Sequence, residues 1–272
     1  MQGHYIASAA CLAAICLLGG RAFGQSSAAP GAPEPMIGLP TTGLEAGDIP
    51  AQQAVFSREQ DWLEFWKAHS KAPAPLVDFS HWQIAAVFLG QKPNPGYGVH
   101  IILAVRRADE ITISYTESRP APGMMYAQMI VYPYDLVAVP AGARITFQLA
   151  RTGPAQKSQA AEAPVRALDM TGFSPPTQAR YVAFTDEAQW DAFWRSHGRC
   201  PAPKVAFQEE MVIGLLQPDD APAVRLAGAQ KVDNEVRLKL VSGSPEAGGL
   251  RSFLAVVPRA NRVDLAWTRS SP

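Results

Sequence analysis

The sequence predicts an α+β protein that is mainly β: two tandem copies of one domain, each with a single amphipathic helix packed on an antiparallel sheet or small β-sandwich. Three observations predict it. A stretch of the 272-residue chain recurs at a constant offset, and each occurrence carries one apolar stripe at helical spacing. Each stripe is then followed by short runs of strand-forming residues punctuated by Gly and Pro.

In chain order, residues 5–19 come first: an uncharged Ala/Leu/Ile-rich stretch of 15, the length of a signal-peptide apolar core and short for a membrane span. Ala22-Phe23-Gly24 then places small residues at the −3 and −1 positions of a cleavage site. Residues 1–24 are expected to be a signal peptide and Gln25 the first mature residue. Its opening four residues contain no Lys or Arg, so a retained anchor is the alternative. Cleavage removes Cys11 and Cys16 and leaves Cys200 alone, so no intrachain disulfide can form and the fold must rely on packing. The expected destination is the periplasm or secretion, with no integral membrane span after cleavage.

Residues 25–53 are rich in Ala, Pro, Ser and Gly, as in Ser26-Ser-Ala-Ala-Pro-Gly-Ala-Pro-Glu-Pro35, and show no apolar period. They are expected to be a tether. Residues 151–179 contain Thr152-Gly-Pro-Ala-Gln-Lys-Ser-Gln-Ala-Ala-Glu-Ala-Pro164, of the same character, and read as a second linker. Together they absorb much of an excess of proline, 24 in the chain against a usual ~5%.

The two patterned regions, expected as domains at 54–150 and 180–269, align with each other. At an offset of 128, Val55-Phe-Ser-Arg-Glu-Gln-Asp-Trp62-Leu-Glu-Phe-Trp66-Lys-Ala-His69 matches Ala183-Phe-Thr-Asp-Glu-Ala-Gln-Trp190-Asp-Ala-Phe-Trp194-Arg-Ser-His197. Ala72-Pro-Ala-Pro75 continues it against Cys200-Pro-Ala-Pro203. Glu110-Ile-Thr-Ile113 pairs with Glu235-Val-Arg-Leu238 at 125, and Leu136-Val-Ala-Val-Pro140 with Leu254-Ala-Val-Val-Pro258 at 118. The shrinking offset places deletions in the loops of the second copy.

Within each copy, Trp62, Phe65, Trp66 and His69, and their equivalents, fall at i, i+3, i+4 and i+7, one face of a helix. Ser57 with Gln60 is expected to form a capping box, and Thr185 with Asp186 and Glu187 is its counterpart. The Pro-Ala-Pro segments stop the helices. Strands are expected at 83–89, 97–105, 110–116, 127–132, 135–139 and 144–149, then at 211–216, 223–229, 235–241, 253–257 and 262–268.

Charge excludes one class of partner. The chain has 24 basic and 24 acidic side chains, and no basic run exceeds Arg106-Arg107, so nucleic acid is not expected. The Trp-x-x-Phe-Trp stripes fit core packing better than a ligand platform, and His69 and His197 sit where a helix dipole favours them. No histidine pair has the i, i+4 spacing of a helical zinc site. There is no Gly-x-Ser-x-Gly elbow, and Asp78-Phe-Ser80-His81 is too compact in sequence for a catalytic relay. Cys200 follows Arg199 but lacks an arranged base. No catalytic residue, metal site or cofactor is expected.

One local feature exceeds what folding needs. Gly90-Gln-Lys-Pro-Asn-Pro-Gly-Tyr-Gly98 brackets a tyrosine with glycines at the entry to a strand, leaving the ring prominent and allowing another backbone to approach. The second copy has Gln217-Pro-Asp-Asp-Ala-Pro-Ala223 there instead, so the shared fold does not require the motif.

Taken with the helix ending in Trp, with Phe79-Ser80, Ile84-Ala-Ala-Val-Phe-Leu-Gly90 and Gly96-Tyr-Gly-Val-His-Ile101, the region resembles a known family. Tyr115-Thr-Glu-Ser-Arg-Pro120, Pro122-Gly123, Gln128 and Tyr132-Pro133-Tyr134 complete the likeness. It is similar to the C-terminal domain of the PrcB family of protease-complex accessory subunits, and the second copy resembles a degenerate form of it. The resemblance implies an exported, non-catalytic protein that stabilises or assists a partner protein, with a protease as the implied partner. The expected partner-binding residues are Gly96, Tyr97, Gly98, His100, Arg119, Pro120, Pro122 and Gly123. Two alternatives stand beside it. Asn94-Pro-Gly-Tyr-Gly resembles the Asn-Pro-x-Thr-Gly loop of chagasin-like protease inhibitors, without its Thr-Gly order. A hydrolase with dispersed catalytic residues would need His81 or His100 beside a Ser or Cys and a carboxylate in one cleft.

Overall fold

A computed structural model describes residues 31–150, 160–174, 179–218, 221–242 and 251–268. The expected signal peptide lies outside the described residues, as do 151–159 and 175–178 of the second expected linker.

Helices α1 (Glu59–His69) and α2 (Glu187–His197) form on the Trp stripes. Trp62, Trp66, Trp190 and Trp194 are all buried. Each indole N–H needs an acceptor once it leaves water, and the Pro-Ala-Pro segments supply them. Trp62 donates to the Pro75 carbonyl at 3.1 Å and Trp66 to that of Ala72 at 2.7 Å. Trp190 and Trp194 repeat this with Pro203 at 2.9 Å and Cys200 at 2.8 Å. The helix stop is thereby also the indole acceptor.

The helix starts differ from the expected caps. Arg58 is the N-cap of α1 and makes no side-chain cap bond, while Ser57 donates to Gln83 Oε1 at 3.1 Å. Gln83 is a buried amide whose N–H groups already serve Pro140 and Ala143, so its oxygen claims the nearest hydroxyl. In α2 the cap is Asp186, not Thr185; its carboxylate accepts the Gln189 N–H at 2.9 Å.

The described chain is otherwise mainly strand. The first half holds β1 (Ala32–Glu34), β2 (Met36–Gly38), β3 (Gln52–Phe56), β4 (Trp82–Phe88), β5 (Gly98–Arg107), β6 (Glu110–Ser118), β7 (Tyr134–Pro140) and β8 (Arg144–Leu149). The second holds β9 (Ala161–Glu162), β10 (Arg166–Ala167), β11 (Arg180–Phe184), β12 (Glu210–Leu216), β13 (Val224–Val232), β14 (Glu235–Ser242), β15 (Phe253–Pro258) and β16 (Arg262–Thr268). They pair as β1-β5-β6-β8, as β10-β15-β12-β11, and as one long sheet, β3-β4-β7-β2-β16-β14-β13-β9. Pairing is antiparallel except for β6 with β8, β14 with β16 and β16 with β2.

The long sheet passes from one half to the other through the β2–β16 pair, where Met36 faces Arg262 and Gly38 faces Asp264. A Cβ on Gly38 would lie 1.8 Å from Asp264 Oδ1, so only glycine permits this approach. The pairings within each half correspond: β2 with β7 and β1 with β5 in the first, β10 with β15 and β9 with β13 in the second. One apolar cluster draws on both halves, joining Ile37, Trp62 and Leu136 to Met211, Leu238 and Leu265. Two others lie around Ile101, Ile111 and Ile113, and around Trp190 and Trp194.

Three further expectations are corrected. Residues 160–174 of the second expected linker hold β9 and β10 and bury Ala163 and Leu168, because these short strands pair with β13 and β15. Residues 31–50 were expected in a tether, yet β1 and β2 lie there and Met36, Ile37, Leu39, Leu44 and Ile49 are buried. Met36-Ile37-Gly38-Leu39 is too short to show a period, but it fills the gap between β7 and β16. Residues 127–132 were expected as a strand; only Val131 pairs, in an isolated bridge with Lys92. Residues 127–130 are exposed and lack the buried face that would fix a register.

Candidate functional site

Two loops of the first half meet at one end of the β5–β6 hairpin. Residues 90–98 connect β4 to β5, and residues 119–133 connect β6 to β7. Gly90, at φ +65°, turns the chain off β4, and a Cβ there would meet the Ala51 backbone N at 2.9 Å. Lys92 and Val131 then exchange backbone bonds of 2.8 and 2.9 Å, which ties the loops together. Asn94 Oδ1 accepts the Gly96 N–H at 3.0 Å and closes the turn that presents Tyr97.

Gly96 is the contact point. A Cβ there would meet Tyr126 Cε1 at 2.9 Å and Pro120 Cα at 3.0 Å, and on Gly98 it would meet Ser118 Oγ at 2.6 Å. Tyr126 in turn accepts the Ala121 N–H at 3.2 Å. Gly96, Tyr97, Gly98, Pro120, Pro122 and Gly123 thus belong to two touching loops, and exposed Arg119 leads into the second. The Tyr97 ring is half-buried, less prominent than its glycines suggested.

The sequence reading missed the apolar content of the second loop. Met124, Met125, Met129 and Ile130 are exposed at 65, 97, 55 and 54%. An open pocket of about 410 Å³, lined by Lys92, Pro93, Gln128 and Ile130 among others, lies between the loops. Three of the chain's seven methionines stand in this stretch, which was the available signal. Strand propensity in Met-Ile-Val hid it. Flexible, polarisable methionines cover adaptable binding surfaces, and an exposed cluster of them has no folding role.

His100 does not share that surface. Two residues into β5, it lies between two carboxylates, Asp135 of β7 3.2 Å from Nδ1 and Glu235 of β14 against Nε2. Hydrogen bonds donated to Asp135 and Glu235 push its pKa up to about 9, against the opposing effect of burial. Arg262 of β16, 5% exposed, donates to Asp135 at 2.5 and 2.9 Å, to Asp264 at 2.7 Å and to the Ile101 carbonyl at 2.8 Å. Burial raises the Asp135 carboxyl, but His100 and Arg262 outweigh it and hold the pKa down to about 2. This network joins the two halves beside the β2–β16 pair. Nothing in residue spacing pointed to it, because its members come together only through pairing.

Asp78, Ser80 and His81 do meet. Ser80 Oγ contacts Asp78 Oδ1 and lies 2.8 Å from His81 Nδ1, which is itself 3.1 Å from Asp78 Oδ2. A relay needs the hydroxyl on one imidazole nitrogen and the carboxylate on the other. Here both fall on Nδ1, so the group is a closed turn and no hydroxyl is activated. Among the described residues, no group of three or more His, Cys, Asp or Glu could hold a metal ion. No helix among them is long and apolar enough to cross a membrane.

No curated protein and no solved structure matches the chain. The family model described as PrcB C-terminal matches residues 84–140, which run from within β4 to the end of β7 and contain both touching loops.

Proposed function

We propose that this is an exported, non-catalytic binding protein that stabilises or assists a partner protein, a protease being the partner class that the PrcB likeness suggests. The docking surface is the pair of loops at residues 90–98 and 119–131. One observation carries this reading: the segment similar to PrcB C-terminal domains holds exposed Met124, Met125, Met129 and Ile130 in the loop that touches the Gly96 turn. Residues so exposed add nothing to the core, and aromatic and methionine side chains are those that interfaces enrich.

The two-copy organisation is also part of the proposal. The corresponding strand pairings and indole bonds of the two halves support it. The second half lacks the glycine–tyrosine loop and the methionines, so its role is to complete the long sheet on which the first half rests.

Affinity capture from the exported fraction of the producing cells tests the assignment, with proteolytic activity assayed in the captured material. A partner retained by the wild type and lost with Tyr97→Ala is expected. Identical capture profiles for the two proteins would remove the loop pair from the site.

A further inference from the structure

A second site lies away from the docking loops, in a cleft between the two halves. It encloses about 710 Å³, within the range of roughly 300–1,000 Å³ typical of small-molecule sites. Trp82, Val182, Phe184 and Phe193 form its apolar wall, and Asp78, His81 and Arg180 its polar end. Glu34 and Arg106 line another part and are engaged with each other.

The polar end has donors to spare at Arg180, and its one carboxylate is already filled. Asp78 receives the Ser80 N–H at 3.1 Å, the Ser80 hydroxyl, His81 Nδ1 at 3.1 Å and Arg180 Nη1 at 3.1 Å. Four donors fill a carboxylate. His197 is committed at both nitrogens, with Nδ1 2.9 Å from the Phe193 carbonyl and Nε2 3.1 Å from Arg180 Nη2. Arg180 spends one hydrogen on Asp78 and one on His197 and retains a second on each terminal nitrogen; its Nε is buried without a partner. A guanidinium with unfilled donors beside an apolar wall matches one anionic group and disfavours a cation.

We infer that this cleft binds an amphipathic carboxylate, a single acid group on an apolar alkyl or aryl body, with the acid on Arg180 and the body against Phe184 and Phe193.

The test is calorimetric titration of the full chain with decanoate, and with decanol as a neutral control of the same chain length. Sub-millimolar binding of decanoate is expected, about tenfold or more tighter than decanol. Arg180→Met should weaken decanoate by a similar factor and leave decanol unchanged. Because Arg180 also braces Asp78, a second variant is needed: Ala192→Trp, at an exposed α2 position lining the cleft, fills the space without opening the core and should abolish binding. No heat from decanoate at millimolar concentration, equal affinity for decanol, or unchanged binding by Ala192→Trp would each overturn the inference. So would binding of a peptide with a free C-terminal phenylalanine when decanoate is silent, since the ligand would then be a chain end and not a small acid.

Discussion

Met125 stands almost wholly in water, so its identity cannot matter to folding; if it matters at all, it matters to a partner. Met125→Glu should therefore leave stability within about 0.5 kcal/mol of wild type in urea unfolding, while partner capture drops. The glycines nearby separate two reasons for conservatism in a loop. Gly96→Ala drives a methyl group into Tyr126 and Pro120 and should destabilise by about 1–3 kcal/mol through overpacking. Gly123 has nothing within 4 Å of a built Cβ, and only its φ of +76° penalises alanine, by about 1–2 kcal/mol. The sequence showed that these glycines stand in a loop and could not show which of them touches another chain segment, because contact between residues 96 and 120 is a product of the fold.

At the scale of elements, the helices were legible and the short strands were not. Trp62, Phe65, Trp66 and His69 carry a full helical period, enough to place α1 and to predict its buried face. Trp62→Ala and Trp190→Ala should each cost about 3–5 kcal/mol, read by thermal or denaturant unfolding. The α1 cap was misplaced by one residue because Gln83 competes for the Ser57 hydroxyl, a contact 26 positions away that local rules do not contain. Asp186→Ala should cost about 1 kcal/mol as a lost cap. Strand β2 was invisible because three residues in a Pro- and Gly-rich stretch carry no alternation. Its place follows only from the gap between β7 and β16.

Across the whole molecule, the long sheet and the ionic network around Arg262 make the two halves one unit. Arg262→Met strands the buried Asp135 carboxylate and should destabilise by about 3–5 kcal/mol. The network also sets the dependence on pH. His100 faces Asp135 and Glu235, with Arg262 close by, and its folded pKa of about 9 lies above the ordinary 6.5. Its contribution is complete below pH 6.5 and disappears as pH rises through 9. Asp135 titrates the other way, from an ordinary 3.8 down to about 2 in the fold, so its contribution holds above pH 3.8 and is lost as pH falls towards 2. Urea unfolding across pH should show a plateau between these limits, and His100→Gln should remove the alkaline fall and, because His100 also helps hold the Asp135 pKa down, reduce the acid fall as well.

The central claim is that the loops at residues 90–98 and 119–131 dock a protein. Its most direct test is site-specific photocrosslinking, with benzoylphenylalanine placed at Met125 and, as a control of comparable chemistry, at Leu63, which is 46% exposed on α1. A discrete protein adduct from position 125 that is absent from position 63, and that disappears with Tyr97→Ala, is the predicted result. Equal adducts from both positions, or none from position 125 while the protein is still captured with a partner, would contradict the claim.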